Sequence, residues 1–363
     1  MTNPLIGLRL KALRDEHNLS QEGVAEILGI ADRQTISYIE SGERQAKPEE
    51  LVALIDRFEL DPDYFTDPFR LVGEGAFSWR QLDCSPTALT AYQQRAGRWL
   101  AAYRSLSSMD ERPGPSERRS LRLWERSTFE QAMAEGERIT LAYKMGDVPA
   151  RRLPQVMEED FGILVLMVDM EDGISGAACR LPELDAVLVN RRDNGRRRNF
   201  DLAHEFFHIL TWDTMPPKPV ERASMKGGGR VELLANNFAA ALLMPQRLLA
   251  RYGEWRDLGN AERSTRLRAV ADHFQVSTQA LHWRLVALRL LSATARHLEV
   301  VPSEAPANYE KPPLFSRNFA RTIAEAIERG RLSVGKAVKL FEQSRDELRA
   351  LFAAHGVPAP VTI

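Results

Sequence analysis

Cysteine is scarce: Cys84 and Cys179 are the only two in 363 residues. Two cannot build a disulfide framework, and their separation fits no metal motif. A reducing, cytoplasmic compartment is therefore expected. Long apolar runs are missing as well. Ile163 to Val168 and Phe238 to Met244 fall far short of the roughly 18 residues that a membrane span needs. The first twenty residues, MTNPLIGLRLKALRDEHNLS, mix charge among their apolar positions and hold no signal-peptide core. Net charge is almost absent, because 49 Lys and Arg face 50 Asp and Glu. That balance excludes indiscriminate coating of nucleic acid. What remains is a globular composition, 44% hydrophobic and 27% charged, on a chain long enough for two or three domains.

Four blocks emerge from periodicity and punctuation. Residues 1–68 read as short helices, with Leu5, Leu8, Leu13, Val24, Ile27, Ile36, Ile39, Leu51, Leu54 and Phe58 at helical spacing. Residues 69–146 read as a helical connector broken by Pro-Gly-Pro at 113–115. Residues 147–250 change character. FGILVLMVDM (161–170) and DAVLVN (185–190) look like strands, ISGAAC between them is a third candidate, and helices are expected near 197–212 and 231–243. Residues 251–363 return to helices, interrupted by a Pro-rich loop at 301–313. The leucines at 281, 285, 288 and 291 suit a core or a dimer surface, and 330–352 reads as a packing segment.

The first block carries LSQEGVAEILGIADRQTISYIESGERQAKP. Ser20 is a natural N-cap, Gly29 can close the helix it starts, and a second short helix begins at Asp32 or its neighbour and ends by Gly42. Two short helices joined by a tight turn form the helix-turn-helix outline, whose second helix enters the major groove of double-stranded DNA. Arg33, Gln34, Thr35, Ser37 and Tyr38 would then meet base edges, while Gln21 and Ser41 would reach phosphates. The block holds seven basic and fourteen acidic side chains, a formal −7. Binding to an operator would thus depend on placement and on dimerisation rather than on a broad positive field.

The third block carries His204-Glu205-Phe206-Phe207-His208. On a helix the two histidines lie one turn apart on one face, where both can reach one Zn2+ ion, with Glu205 beside them to take a proton from the attacking water. Zinc hydrolysis needs a third protein ligand. A histidine just downstream is ruled out, since Thr211 and Thr214 hold those places. Glu232, opening VELLANNFAAALLMP, is the favoured carboxylate because small residues at 235 and 239 let two helices approach closely. Glu221, in the loop before it, is the rival. Asn236 and Asp201 are candidates to orient the ligands. The basic turn Arg191, Arg192, Arg196, Arg197 and Arg198, with Lys218, Lys226 and Arg230, reads either as a solvated loop, as a dock for an acidic partner, or as a seat for the acidic first block.

Two resemblances sharpen these readings. Residues 5–65, through LSQEGVAEILGI and RQTISYIESGERQAKP, resemble the XRE helix-turn-helix family. Residues 150–250, through FGILVLMVDM, NFDLAHEFFHIL and VELLANNFAAALLMP, resemble the ImmA/IrrE metallo-endopeptidases. The second likeness implies that His204, His208 and Glu232 bind zinc and that Glu205 is the general base. The implied fold class is multidomain and mainly α: an all-α helix-turn-helix domain, an α+β zincin-like peptidase domain with a small sheet, and a helical carboxy-terminal region. The implied function is a DNA-binding regulator with zinc-dependent endopeptidase activity, cutting a repressor or antitoxin-like protein, or itself, in a stress, phage or mobile-element response. The alternatives are a regulator whose peptidase-like domain senses a partner without cutting, and an antitoxin that sequesters a toxin.

Overall fold

The computed structural model describes residues 4–108, 118–222, 229–256, 258–291 and 311–363. The expected break at 113–115, Lys226 and most of the 301–313 loop lie outside the described residues. Helices α1 (Pro4–Glu16), α2 (Gln21–Ile27), α3 (Arg33–Glu40) and α4 (Pro48–Phe58) form the amino-terminal domain. Its caps match the sequence. Ser20 accepts from the Gly23 N–H at 3.1 Å, and Asp32 accepts from the Gln34 N–H at 2.9 Å. Gly29, at φ 65°, makes the left-handed turn between α2 and α3. Leu10, Leu13, Val24, Ile36, Ile39 and Leu54 close the small core.

One buried arginine fastens this domain to residues 64–74. Arg9 donates to the carbonyls of Tyr64 (2.9 Å) and Asp67 (2.8 Å) and pairs with Glu74 at 3.2 Å. Glu74 is buried and also takes Arg104, so neither partner is left as an uncompensated charge.

Strand β1 (Ala76–Gln81) comes next, and it corrects the expectation of a purely helical connector. AFSWRQ has only Phe77 and Trp79 to mark a two-residue period, too little to stand out from helical text. The chain then runs through α5 (Pro86–Ser108), α6 (Phe129–Ala142), α7 (Pro149–Glu159), β2 (Ile163–Val168), β3 (Ile174–Arg180), β4 (Asp185–Asn190), α8 (Gly195–Leu210), β5 (Val220–Arg222) and α9 (Arg230–Leu243). It continues through α10 (Gln246–Leu249), α11 (Asn260–Phe274), α12 (Thr278–Ala287), α13 (Arg317–Glu328), α14 (Val334–Phe341) and α15 (Arg345–Ala354). The sheet order is β2-β4-β3-β1-β5, with β2–β4 and β1–β5 parallel and the other pairs antiparallel.

Alternation along the strands separates two cores. Ile163, Val165, Ala178, Val187 and Val189 face α6–α9, α11 and α12. Leu164, Leu166, Val168, Ala177, Cys179, Ala186 and Leu188 face α5 and α13–α15. Strands buried on both sides read as continuous apolar runs, which is why 161–170 is recognisable as one. The carboxy-terminal helices are therefore walls of the same sheet. Leu281, Leu285 and Leu291 are buried in the first core, which takes them out of any dimer surface.

Candidate metal centre

Helix α8 starts at Asn194, whose side chain accepts from the Arg196 N–H, and runs buried across β3 and β4. Its apolar residues Leu202, Phe206, Phe207, Ile209 and Leu210 fix its rotation. That rotation turns His204 and His208 toward α9, where Glu232 stands in the first turn. The donor atoms of the three side chains all lie within 4.8 Å of one another. His204 Nε2 is 3.2 Å from one Glu232 oxygen, and His208 Nε2 is 3.1 Å from the other. The two Nε2 atoms are 3.1 Å apart.

This donor set fits a zinc ion. Two imidazole nitrogens and a carboxylate are a common catalytic set that leaves a coordination position open. His204 Nδ1 is 3.0 Å from Asn236 Oδ1, so Nδ1–H is the donor and the Nε2 lone pair faces the cluster. Buried Glu232 Oε1 has no hydrogen-bond donor of its own, as expected of an atom placed for a cation. Burial lowers His204 to about 4, helped by the Arg80 charge, and so favours the neutral, ligating imidazole. For His208, burial pulls down but the Glu232 contact wins and raises it. Glu232 would be raised by burial, yet the two histidines hold it well below the usual carboxylate range.

Glu205, one residue after His204 on the same helix, is buried where α8 crosses β3. A side-chain carbon at Gly176 would meet Glu205 Cγ at an ordinary 3.7 Å and crowd the Leu188 carbonyl at 3.1 Å, so the glycine lets α8 and β3 lie close here. Burial pushes Glu205 up to about 7, while His208 and Arg80 partly restrain the rise. A carboxyl near neutrality can both accept and return a proton.

Three neighbours complete the surroundings. Arg80 of β1 pairs with buried Asp201 at 3.1 Å, and Arg197 reaches the same carboxylate at 3.5 Å. Asp201 is thus engaged by arginines, and the hydrogen bond that orients His204 comes from Asn236 instead. Arg80 has no signal in the sequence, because it lies more than a hundred residues upstream on an unmarked strand. Glu221, the rival to Glu232, also reaches the site. Burial raises it to about 8, and the neighbouring Glu232 carboxylate pushes the same way.

The arginine turn finds its carboxylate partners outside the first domain: Arg192 and Arg197 stay exposed, as a solvated loop would, while Arg191 and Arg196 are mostly covered. Arg191 and Arg192 pair with Asp169, Arg196 with Asp272 and Arg197 with Asp193. The first domain is held instead by Arg9 and by Lys336 of α14, 3.3 Å from Asp67. On α3, Arg33, Gln34, Ser37 and Tyr38 are exposed and Thr35 is half-buried, while Ile36 and Ile39 anchor the opposite face. Gln21 donates to Glu40 at 2.9 Å, and Ser41 donates to Glu43 at 3.1 Å. A phosphate would have to displace those bonds.

Together these features define a class: a helix-turn-helix DNA-binding domain fused to a metallopeptidase-like α+β domain. Comparison with protein families agrees. Residues 10–65 match the helix-turn-helix model, and residues 158–286 match the model of the IrrE N-terminal-like domain, a peptidase family. The second match includes α8, α9 and all of α11 but leaves β1 outside. No curated protein matches the chain. Among the described residues no helix is long and apolar enough to cross a membrane.

Proposed function

We propose that this chain is a DNA-binding regulator with zinc-dependent endopeptidase activity toward a repressor or antitoxin-like protein, or toward itself. The convergence of His204, His208 and Glu232, with Glu205 buried on the same helix, carries the reading. His204, His208 and Glu232 would hold the ion, which when bound supplies a Lewis acid and activates water near neutral pH. Asn236 holds His204 in the ligating tautomer. Glu205 takes the proton of the attacking water on its carboxylate and passes it to the amine of the broken peptide bond. Gly176 and the apolar core around α8 keep that carboxyl out of bulk water. Arg33, Gln34, Thr35, Ser37 and Tyr38 would read the operator, and a dimer would supply two half-sites.

The test joins zinc analysis to a search for a cleaved protein. One zinc per chain is expected in wild type and Glu205→Gln, and less in His204→Ala. A protein cut in cells expressing wild type should stay whole with Glu205→Gln. Absence of zinc from the wild type, or equal cleavage by both, refutes the reading. A sensor that does not cut is favoured by one observation, the chain's own β5 at the sheet edge beside the site. It predicts that Glu205→Gln regulates its operator unchanged.

A further inference from the structure

The outer edge of β1 is the part of the sheet nearest the metal cluster that could accept another strand. Arg80 turns from it toward Asp201 of α8, and β3, its inner neighbour, carries Gly176 beneath Glu205. An extended peptide laid along that edge would pass beside the site, with its backbone held by main-chain hydrogen bonds. The edge is already taken. β5 pairs with it in parallel, Trp79 opposite Val220, Arg80 opposite Glu221 and Gln81 opposite Arg222. The Trp79 N–H donates to the Pro219 carbonyl at 2.9 Å. Because opposed residues share a face, the register puts Glu221 on the same side as Arg80, toward α8. There its carboxyl lies close enough to that of Glu232 for the two charges to interact.

We infer that residues 219–222 form a built-in strap that occupies the peptide-binding edge and sets Glu221 against the metal ligands, so that a protein substrate must displace it to be cut. The inference rests on the endopeptidase reading and adds its regulation. It has two separable parts, strand pairing and carboxylate. Glu221→Ala removes the carboxylate alone. Glu221→Pro also removes the N–H that a parallel ladder uses at this position.

The test uses full-length protein and two readouts. Hydrogen–deuterium exchange over 76–82, measured after chelation of metal, reads the pairing. Acetohydroxamate affinity of the cobalt-substituted protein, followed by visible absorption, reads access to the ion. A strap that leaves the site open about one-tenth of the time weakens a small ligand about tenfold. Glu221→Pro should therefore speed exchange several-fold over 76–82, and both variants should bind acetohydroxamate about tenfold more tightly than wild type. Unchanged exchange in Glu221→Pro, or unchanged affinity in both variants, overturns the strap. A wild type that takes up no cobalt refutes the metallopeptidase reading instead, and the exchange comparison still judges whether the strap is there.

Discussion

Adding one methyl group at Gly136 should loosen the metal centre from a distance. Gly136 lies in α6 where that helix meets α9, and a Cβ there would stand 2.6 Å from the Phe238 carbonyl oxygen and 2.9 Å from the Leu242 nitrogen. Both obstacles are backbone, so no rotamer change relieves them. Restoring ordinary contact moves α9 by roughly 0.5–0.8 Å in an interior packed as densely as a crystal. Two effects oppose each other in Gly136→Ala. Alanine gains about 0.5–1 kcal/mol of helix propensity, and overpacking costs about 1–3 kcal/mol. The clash wins by roughly 1–2 kcal/mol, a loss of some 2–8 °C in Tm for a domain of this size. α9 also carries Glu232 and Asn236, and sites tolerate only about 0.5 Å of misplacement. Zinc affinity should fall about tenfold or more. Thermal melts and competition with a chromophoric chelator measure both effects. Gly23→Ala is the control, since its Cβ would meet nothing closer than 3.7 Å. A Gly136→Ala protein that melts at or above wild type, with unchanged zinc affinity, would refute the reasoning.

Other residues give independent tests. Glu158 of α7 accepts from the Val165 N–H at 3.2 Å and from Asn318 at 2.9 Å, and burial pushes it up to about 7. A raised carboxyl binds its proton more tightly in the folded state, so its contribution is whole below about pH 4.5 and is lost as pH rises through about 7, up to about 3 kcal/mol. Urea unfolding should show Glu158→Gln gaining on wild type between pH 5 and pH 8, and a difference independent of pH would count against this account. Asn236→Ala frees the His204 Nδ1–H and should weaken zinc binding by about 10–100-fold without unfolding the protein; an unchanged dissociation constant would show that Asn236 does not orient the ligand. Arg33→Ala should cost about 1–3 kcal/mol of operator affinity and leave zinc content alone, as read by gel shift at fixed salt. Equal binding of operator and scrambled DNA by wild type would remove the premise.

The sequence made some of this legible and hid the rest for definite reasons. Caps at Ser20 and Asp32, the turn at Gly29, the β-branched runs of β2 and β4 and the spacing of His204 and His208 are local signals, each decided within a turn or a strand. Glu232 could be singled out because Ala235 and Ala239 continue its face of the helix, and small residues there let two helices approach closely. Arg80, Gly176 and the pairing of β1 with β5 are non-local, and nothing within six residues of any of them marks its partner. The arginine turn was legible only in part, for a related reason. Clustered charge in a sequence suggests an outside partner, while Asp169, Asp193 and Asp272 were too scattered along the chain to be matched to it.

The placement of β1 also shows why composition drew its boundary in the wrong material. Residues 74–81 look like the start of a connector because they come after one helical domain and precede another long helix. Physically they belong to both neighbours at once. Glu74 answers Arg9 of the first domain and Arg104 of α5. Two residues later β1 joins the sheet, and at its far end Arg80 meets Asp201, one turn before His204. A segment with those obligations has no freedom to act as a linker. Cutting the chain near residue 146 to isolate α8 and α9 would remove β1, strip Asp201 of its closest cation and leave a carboxylate of 3% exposure one turn from Glu205. The unit that can hold the candidate metal centre therefore begins before β1, well upstream of the matched family domain at 158–286.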